Sequence, residues 1–236
     1  MISALPVVGG SVACGVASMW WAVRGRASAM FGPSVWRGER GRRAVALTFD
    51  DGPSEDTPRI LELLAQYGAV ATFFPCGANV ARLPAIARAV EEAGHEIGNH
   101  GYRHPLCCFR SSRFMEADMG RAQRVILEHT GARPVWFRAP YGVRWFGMGR
   151  AQRRLGLRGV MWSVMGYDWS LEAGAVVERI ERRVSNGAIL CLHDGRELRT
   201  GPDIGVTIEA VRRLLPQLLK RGYKLETVSQ LICPTT

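Results

Sequence analysis

Two adjacent carboxylates, Asp50 and Asp51, close the run Val45-Ala46-Leu47-Thr48-Phe49, and two histidines, His100 and His104, stand four residues apart further along the chain. A third histidine ends a second apolar run in Leu190-Cys191-Leu192-His193-Asp194. Neighbouring carboxylates at the end of a buried strand resist being buried and charged together, because desolvation and mutual repulsion both oppose it. A divalent cation answers both objections. One carboxylate oxygen and two imidazoles leave a coordination position open, the pattern of a catalytic site of the zinc type and not of a closed structural one. The remaining carboxylate can take a proton from water, and the remaining histidine can give one to a leaving amine. General base, general acid and metal together make a set for hydrolysing a C–N bond.

These residues need elements to bring them together. Asp50 and Asp51, Arg138-Ala139-Pro140-Tyr141-Gly142, Asp168-Trp169 and His193 each follow or lie close to an apolar, strand-like run. Polar residues gathered at the ends of successive parallel strands are what a (β/α) barrel offers, because its strand C-termini open onto one face. Alternation predicts strands over 44–49, 70–74, 96–99, 135–137, 158–163, 188–192 and 224–227. Helical spacing predicts helices over 57–67, 83–93, 113–129, 147–155, 173–184 and 204–221. The 236 residues, 47% of them hydrophobic, are enough for one such core, since a barrel of this kind takes about 250.

The motifs, in this order, resemble the polysaccharide deacetylase or NodB-homology domain of the carbohydrate esterases (family 4). The resemblance runs from about Val45 to about Ile232 and implies a distorted α/β barrel of about seven parallel strands. It casts Asp50 as general base and Asp51, His100 and His104 as ligands of one divalent metal. Zinc suits two nitrogens and one oxygen, and cobalt, nickel, iron or manganese are compatible. It casts Arg138 as the residue that orients the base, the Tyr141 backbone N–H as an oxyanion donor, His193 as general acid and Asp168 as its orienting partner. Trp169, Pro140 and Cys191 belong, on the same grounds, to the substrate pocket. The implied activity is removal of an N-acetyl group from an N-acetylated amino sugar, whether polymer, oligomer or lipid-linked glycan. The chain departs from the family pattern at Gly101, where a hydroxyl residue is usual, at Met165, where an aspartate is usual, and at Cys191, where leucine is usual. Met165 and Cys191 leave open a formyl group or a small cyclic amide as the target. A carbohydrate-binding domain without turnover is the reading from another class.

Outside the motifs, residues 2–23 carry no charge and end in Trp20-Trp21, with Arg24 and Arg26 following. Length, aromatic flank and basic flank predict a membrane-spanning helix or signal anchor over 1–26, a basic juxtamembrane linker over 27–43 and the catalytic domain over 44–236. A cleaved signal peptide and an apolar helix packed on the barrel are the competing readings. Arginines after the helix place the domain on the cytoplasmic side by the positive-inside rule, and six cysteines without a disulfide framework suit a reducing compartment. The formal charge of +10 fits anionic lipid headgroups or an anionic substrate. No nucleic-acid module is recognisable, and nothing in the sequence signals an oligomeric state.

Overall fold

The computed structural model describes residues 5–233, with side chains from Gly15 onward. Its central strand is β2 (Ala44–Asp50), in which every residue is buried. A strand buried on both faces has to be apolar throughout, and only parallel sheets covered by helices accept one. β2 pairs in parallel with β3 (Thr72–Phe74) on one side and with β8 (Ala188–His193) on the other. β4 (Glu96–Ile97) extends the sheet beyond β3, β7 (Val164–Met165) extends it beyond β8, and β9 (Lys224–Leu225) joins the start of β2.

A second parallel sheet orders β1 (Ser34–Val35), β6 (Arg158–Val160) and β5 (Trp136–Phe137). Two features join the sheets into a ring. A parallel bridge pairs Asn99 with Phe137, and between β6 and β7 the chain crosses from one sheet to the other through residues 161–163. The result is an α/β fold of parallel strands with a distorted barrel arrangement. Around it run α2 (Thr57–Gln66), α4 (Pro84–Glu92), α5 (Ser112–Thr130), α6 (Met148–Arg154), α7 (Ala173–Arg183) and α8 (Gly205–Lys220). Their apolar faces meet the sheet in a core that includes Leu47, Phe49, Ile60, Leu64, Ile180 and Leu214. Helix α5 shows how local sequence sets an element's limits: the Ser111 side chain accepts the Phe114 N–H at its start, and Gly131 takes a left-handed φ of 76° at its end.

Six of the seven expected strands and all six expected helices are shifted or trimmed by a few residues at most, and the seventh, 158–163, is halved to β6. Absent from the sequence expectation are β1, β7, the short helices α3 (Gly77–Arg82) and α9 (Val228–Ile232), and the turn Pro140–Gly142.

The N-terminal expectation falls in large part outside the described residues, since residues 1–4 and the side chains before Gly15 are not described. A helix, α1 (Leu5–Arg24), does occupy the segment, but among the described residues no helix is long and apolar enough to cross a membrane. Its last turn instead packs on the domain, with Ala22 and Val23 buried against Phe31 and Val143. Within 27–43, the stretch expected as a linker, Ser34 and Val35 form β1 and Phe31 is buried.

Candidate active site

Asp50 is the last residue of β2, and the β2–β8 ladder sets it directly opposite His193. The expected base and acid are thus brought face to face by backbone register. Arg138 leaves the end of β5, is fully buried, and donates to Asp50 Oδ1 at 2.6 Å and to Thr48 Oγ1 at 2.7 Å. Its guanidinium lies 4.2 Å from the Phe74 ring centroid, so the charge is held by a carboxylate, a hydroxyl and an aromatic face. One carboxylate oxygen of Asp50 is fixed by this contact. The other lies 3.4 Å from the Cys191 thiol, which is its hydrogen-bond donor.

Asp51 follows in a left-handed turn, with φ 74°. Its Oδ2 accepts the Glu197 N–H at 2.9 Å, and its buried Oδ1 accepts no hydrogen bond among the described residues. That oxygen lies 3.4 Å from His100 Nε2 and 3.0 Å from His104 Nε2. His100 Nδ1 is 2.8 Å from the Arg138 carbonyl and so carries the ring proton it donates, which leaves the Nε2 lone pair free. Burial pushes the Asp51 carboxyl upward, but the two imidazoles beside it hold it well below the usual carboxylate range. An orphaned carboxylate oxygen and imidazole nitrogens within 4.8 Å of one another, one with its tautomer fixed from behind, fit a divalent cation.

The loop carrying the two histidines is braced by Asp118 of α5, which accepts the N–H groups of Tyr102 at 2.8 Å and Arg103 at 3.2 Å. Gly101 has φ 78°, and a Cβ there would stand 2.6 Å from Asp118 Oδ2. Loss of the usual hydroxyl side chain at this position therefore makes room for a carboxylate brace from the neighbouring helix.

His193 sits at the end of β8 with its Nδ1 2.9 Å from Asp168 Oδ1, and Asp168 Oδ2 accepts the His193 backbone N–H at 2.9 Å. Thr207 of α8 donates to the same Oδ2 at 2.6 Å. Burial pulls the His193 imidazolium down, but Asp168, with Asp51 and Asp50 adding, carries it up to about 9. Burial opposes ionisation of Asp168 as well, yet His193, Thr207 and Arg196 hold its carboxyl below the ordinary value.

These groups open onto a cavity of about 650 Å³ whose walls include Tyr141, Trp162, Met165, Tyr167 and Trp169. Trp169 stands edge-on to His193, with ring centroids 4.8 Å apart. Tyr141, in a turn of φ 57°, packs edge-on against His104 and donates its hydroxyl to Glu197 at 2.9 Å. Two expected pocket residues are placed elsewhere. Cys191 is fully buried behind Asp50, and Pro140 is buried beneath the Tyr141 turn; neither opens onto the cavity. Met165 does line it.

Sequence reasoning missed Glu197, Thr207, Arg196 and Asn79. Asn79 Nδ2 ties the Asp51 carbonyl to the Glu197 carbonyl, at 2.7 Å each. Arg196 spans the Gly195 and Asp168 carbonyls. The only local signal was that Arg196 and Glu197 follow His193 by a few residues.

Comparison with known proteins agrees with this geometry. The profile of the family described as Polysaccharide deacetylase matches residues 37–160. A peptidoglycan-N-acetylglucosamine deacetylase of Bacillus cereus is 34% identical over 202 residues, covering 84% of this chain and 92% of the relative. A chitooligosaccharide deacetylase of Azorhizobium caulinodans is 36% identical over 197 residues, covering 78% of this chain and 91% of the relative. Among solved structures, the Bc1960 peptidoglycan N-acetylglucosamine deacetylase superposes with a TM-score of 0.80 at 27% identity, covering 86% of this chain and 94% of that one. BA3943 from Bacillus anthracis, a CE4 family pseudoenzyme, superposes with a TM-score of 0.77 at 28% identity, covering 86% of this chain and 70% of that one. The chain belongs to the polysaccharide deacetylase family, and by class it is a hydrolase of non-peptide C–N bonds.

Proposed function

We propose that this protein removes the acetyl group from N-acetylated amino sugars in a metal-dependent hydrolysis. The observation that carries the reading is the register of β2 against β8, which sets Asp50 opposite His193 while Asp51 turns to face His100 and His104. The names of the relatives, deacetylases of peptidoglycan and of chitooligosaccharide, support an N-acetylated carbohydrate as substrate.

Asp51, His100 and His104 would hold the metal, which when bound supplies Lewis acidity for the amide carbonyl and for water. Asp50, fixed by Arg138, accepts the proton of the attacking water. The backbone N–H of Tyr141, on the turn beside His104, would donate to the oxyanion as charge develops. His193 is protonated near neutrality because Asp168 holds it so, and it delivers that proton to the leaving amine. Amide cleavage requires this step, since an amine anion does not leave unassisted. Trp169 and Tyr167 wall the site and limit access of bulk water to the pair. For localisation we propose the cytoplasmic side. The free thiols of Cys76, Cys107, Cys108, Cys191 and Cys233 support it, and a compartment-sensing reporter fused after Ile232 tests it.

The test of function is acetate and formate release from N-acylated amino sugars by metal-reconstituted protein, alongside Asp50→Asn and His193→Ala. Acetate release that falls about 10²- to 10⁴-fold in each variant is expected. Formate in place of acetate makes the enzyme a deformylase. Silence with metal bound makes the domain a binding module.

A further inference from the structure

The catalytic cavity carries charge that hydrolysis of an uncharged amide does not use. Of its acidic groups, Asp50 pairs with Arg138, Asp51 faces His100 and His104, Glu197 accepts the Tyr141 hydroxyl, and Asp203 accepts the Gly205 N–H. Arg196 spends its guanidinium on backbone carbonyls and lies 3.8 Å from Asp168. Two further guanidinium groups line the same cavity, Arg24 at the end of α1 and Arg199 in the loop after β8. Neither has a carboxylate partner among the described residues, and the Arg24 guanidinium lies 5.5 Å from the Trp20 ring centroid.

Arg24 is held where it is. The residue before it, Val23, accepts the Arg144 backbone N–H at 3.1 Å. The Arg144 side chain, 3% exposed, reaches the Gly25 and Ser28 carbonyls on the other side. Ser28 Oγ in turn donates to the Ala22 carbonyl at 3.1 Å. Arg144 thus holds the chain on both sides of Arg24, by its backbone N–H before it and its buried guanidinium after it, and so fixes where Arg24 enters the cavity. Arginine forks match the geometry of carboxylate and phosphate oxygens.

We propose that Arg24 and Arg199 form an anion-binding subsite within the catalytic cavity, and that the substrate is an N-acetylated amino sugar bearing a carboxylate or a phosphate on the reacting sugar or its neighbour. The proposal rests on the deacetylase reading for the reaction, but its binding component stands apart from turnover. It also makes the end of α1 part of the active site.

The experiment uses the full chain and three probes: a neutral N-acetylglucosamine tetramer, the same tetramer with a 6-carboxylate, and the same with a 6-phosphate. Binding is measured by titration calorimetry and turnover by acetate release with metal present, in low and high salt. Wild-type protein is expected to bind one of the charged probes about tenfold more tightly than the neutral one, with the difference shrinking as salt rises. Arg24→Ala and Arg199→Ala are expected each to remove most of that preference, through KM more than through kcat, and Arg24→Lys to restore part of it. Arg182→Ala, which removes an exposed charge from α7, serves as the control for net charge. Arg199 lies in an exposed loop, so its variant decides the matter even where Arg24→Ala perturbs the packing of α1. Which charged probe binds more tightly identifies the anion. Equal binding of neutral and charged probes, or equal loss in Arg182→Ala, overturns the subsite. A charged probe bound through both arginines but not hydrolysed with metal present upholds the subsite and overturns the deacetylase reading.

Discussion

At the scale of single residues, the chemistry depends on two carboxylates kept in different states of engagement by their neighbours. Asp50 is gripped by Arg138 at 2.6 Å, while Asp51 leaves one oxygen unpaired between two imidazoles. Asp168 keeps His193 protonated, with its pKa carried up to about 9. Turnover should therefore fall as pH rises through about 9. Asp168→Asn should move that limb to lower pH and cut kcat; a pH–rate profile of the variant that keeps the wild-type limb would remove His193 from its role. The same pair affects stability. A histidine whose folded pKa is raised stabilises fully below its unfolded value of about 6.5, and that contribution is lost as pH rises through about 9. The residue-scale picture was the most legible from sequence. Asp50, Asp51 and His193 stand out by type at the end of an apolar run, His100 and His104 by their spacing, and Arg138 and Asp168 by the family resemblance. Cys191 was misplaced because spacing says which face of a strand a residue shares, not how far along that face the cavity extends.

At the scale of elements, the site is held by backbone register and by close approaches that tolerate no side chain. Gly195 follows His193-Asp194, and a Cβ on it would stand 2.5 Å from the Asp51 carbonyl oxygen. Because the obstacle is backbone, Gly195→Ala must displace the Asp51 turn, with an expected loss of about 1–3 kcal/mol. Its metal affinity should drop alongside; a metal titration matching wild type would show that the turn is not held from this side. The end of α1 offers a second test. Arg144→Met leaves the Gly25 and Ser28 carbonyls without their buried donor. A loss of about 2–3 kcal/mol is expected, with faster hydrogen exchange confined to the 22–31 segment, and unaltered exchange there would contradict the clamp. Element limits were readable where long periodic runs dominated, as in α5 and α8. They were not readable for β1 and β7, each of two residues. Such strands exist only because a neighbour supplies the ladder, and no local pattern encodes a neighbour.

For the whole molecule, the expected gathering of polar residues at one end of a barrel is realised by a closure the sequence did not show. Asp50, His100, Arg138, Asp168 and His193 lie on five separate elements or loops, and ring closure through Asn99 and Phe137 draws them to one end of the barrel. Glu197, Thr207, Asn79 and Arg24 join the site from positions with no motif of their own, so only the folded chain identifies them. The docking of the last turn of α1 on Phe31 and Val143 has no local signal either, because Val143 lies about 120 residues away in sequence. Metal binding should register globally too. A cation present at 100 times its Kd stabilises the folded state by about 2.7 kcal/mol, so chelation should lower Tm in wild type and leave Tm unmoved in His100→Ala. The most direct measurement is acetate release from an N-acetylated glucosamine oligomer by chelator-stripped protein, titrated with zinc and repeated with Asp51→Ala. A metal-dependent deacetylase releases acetate that rises to saturation near one equivalent of metal and is lost in the variant. Acetate release that is independent of added metal, or that survives Asp51→Ala, would contradict it.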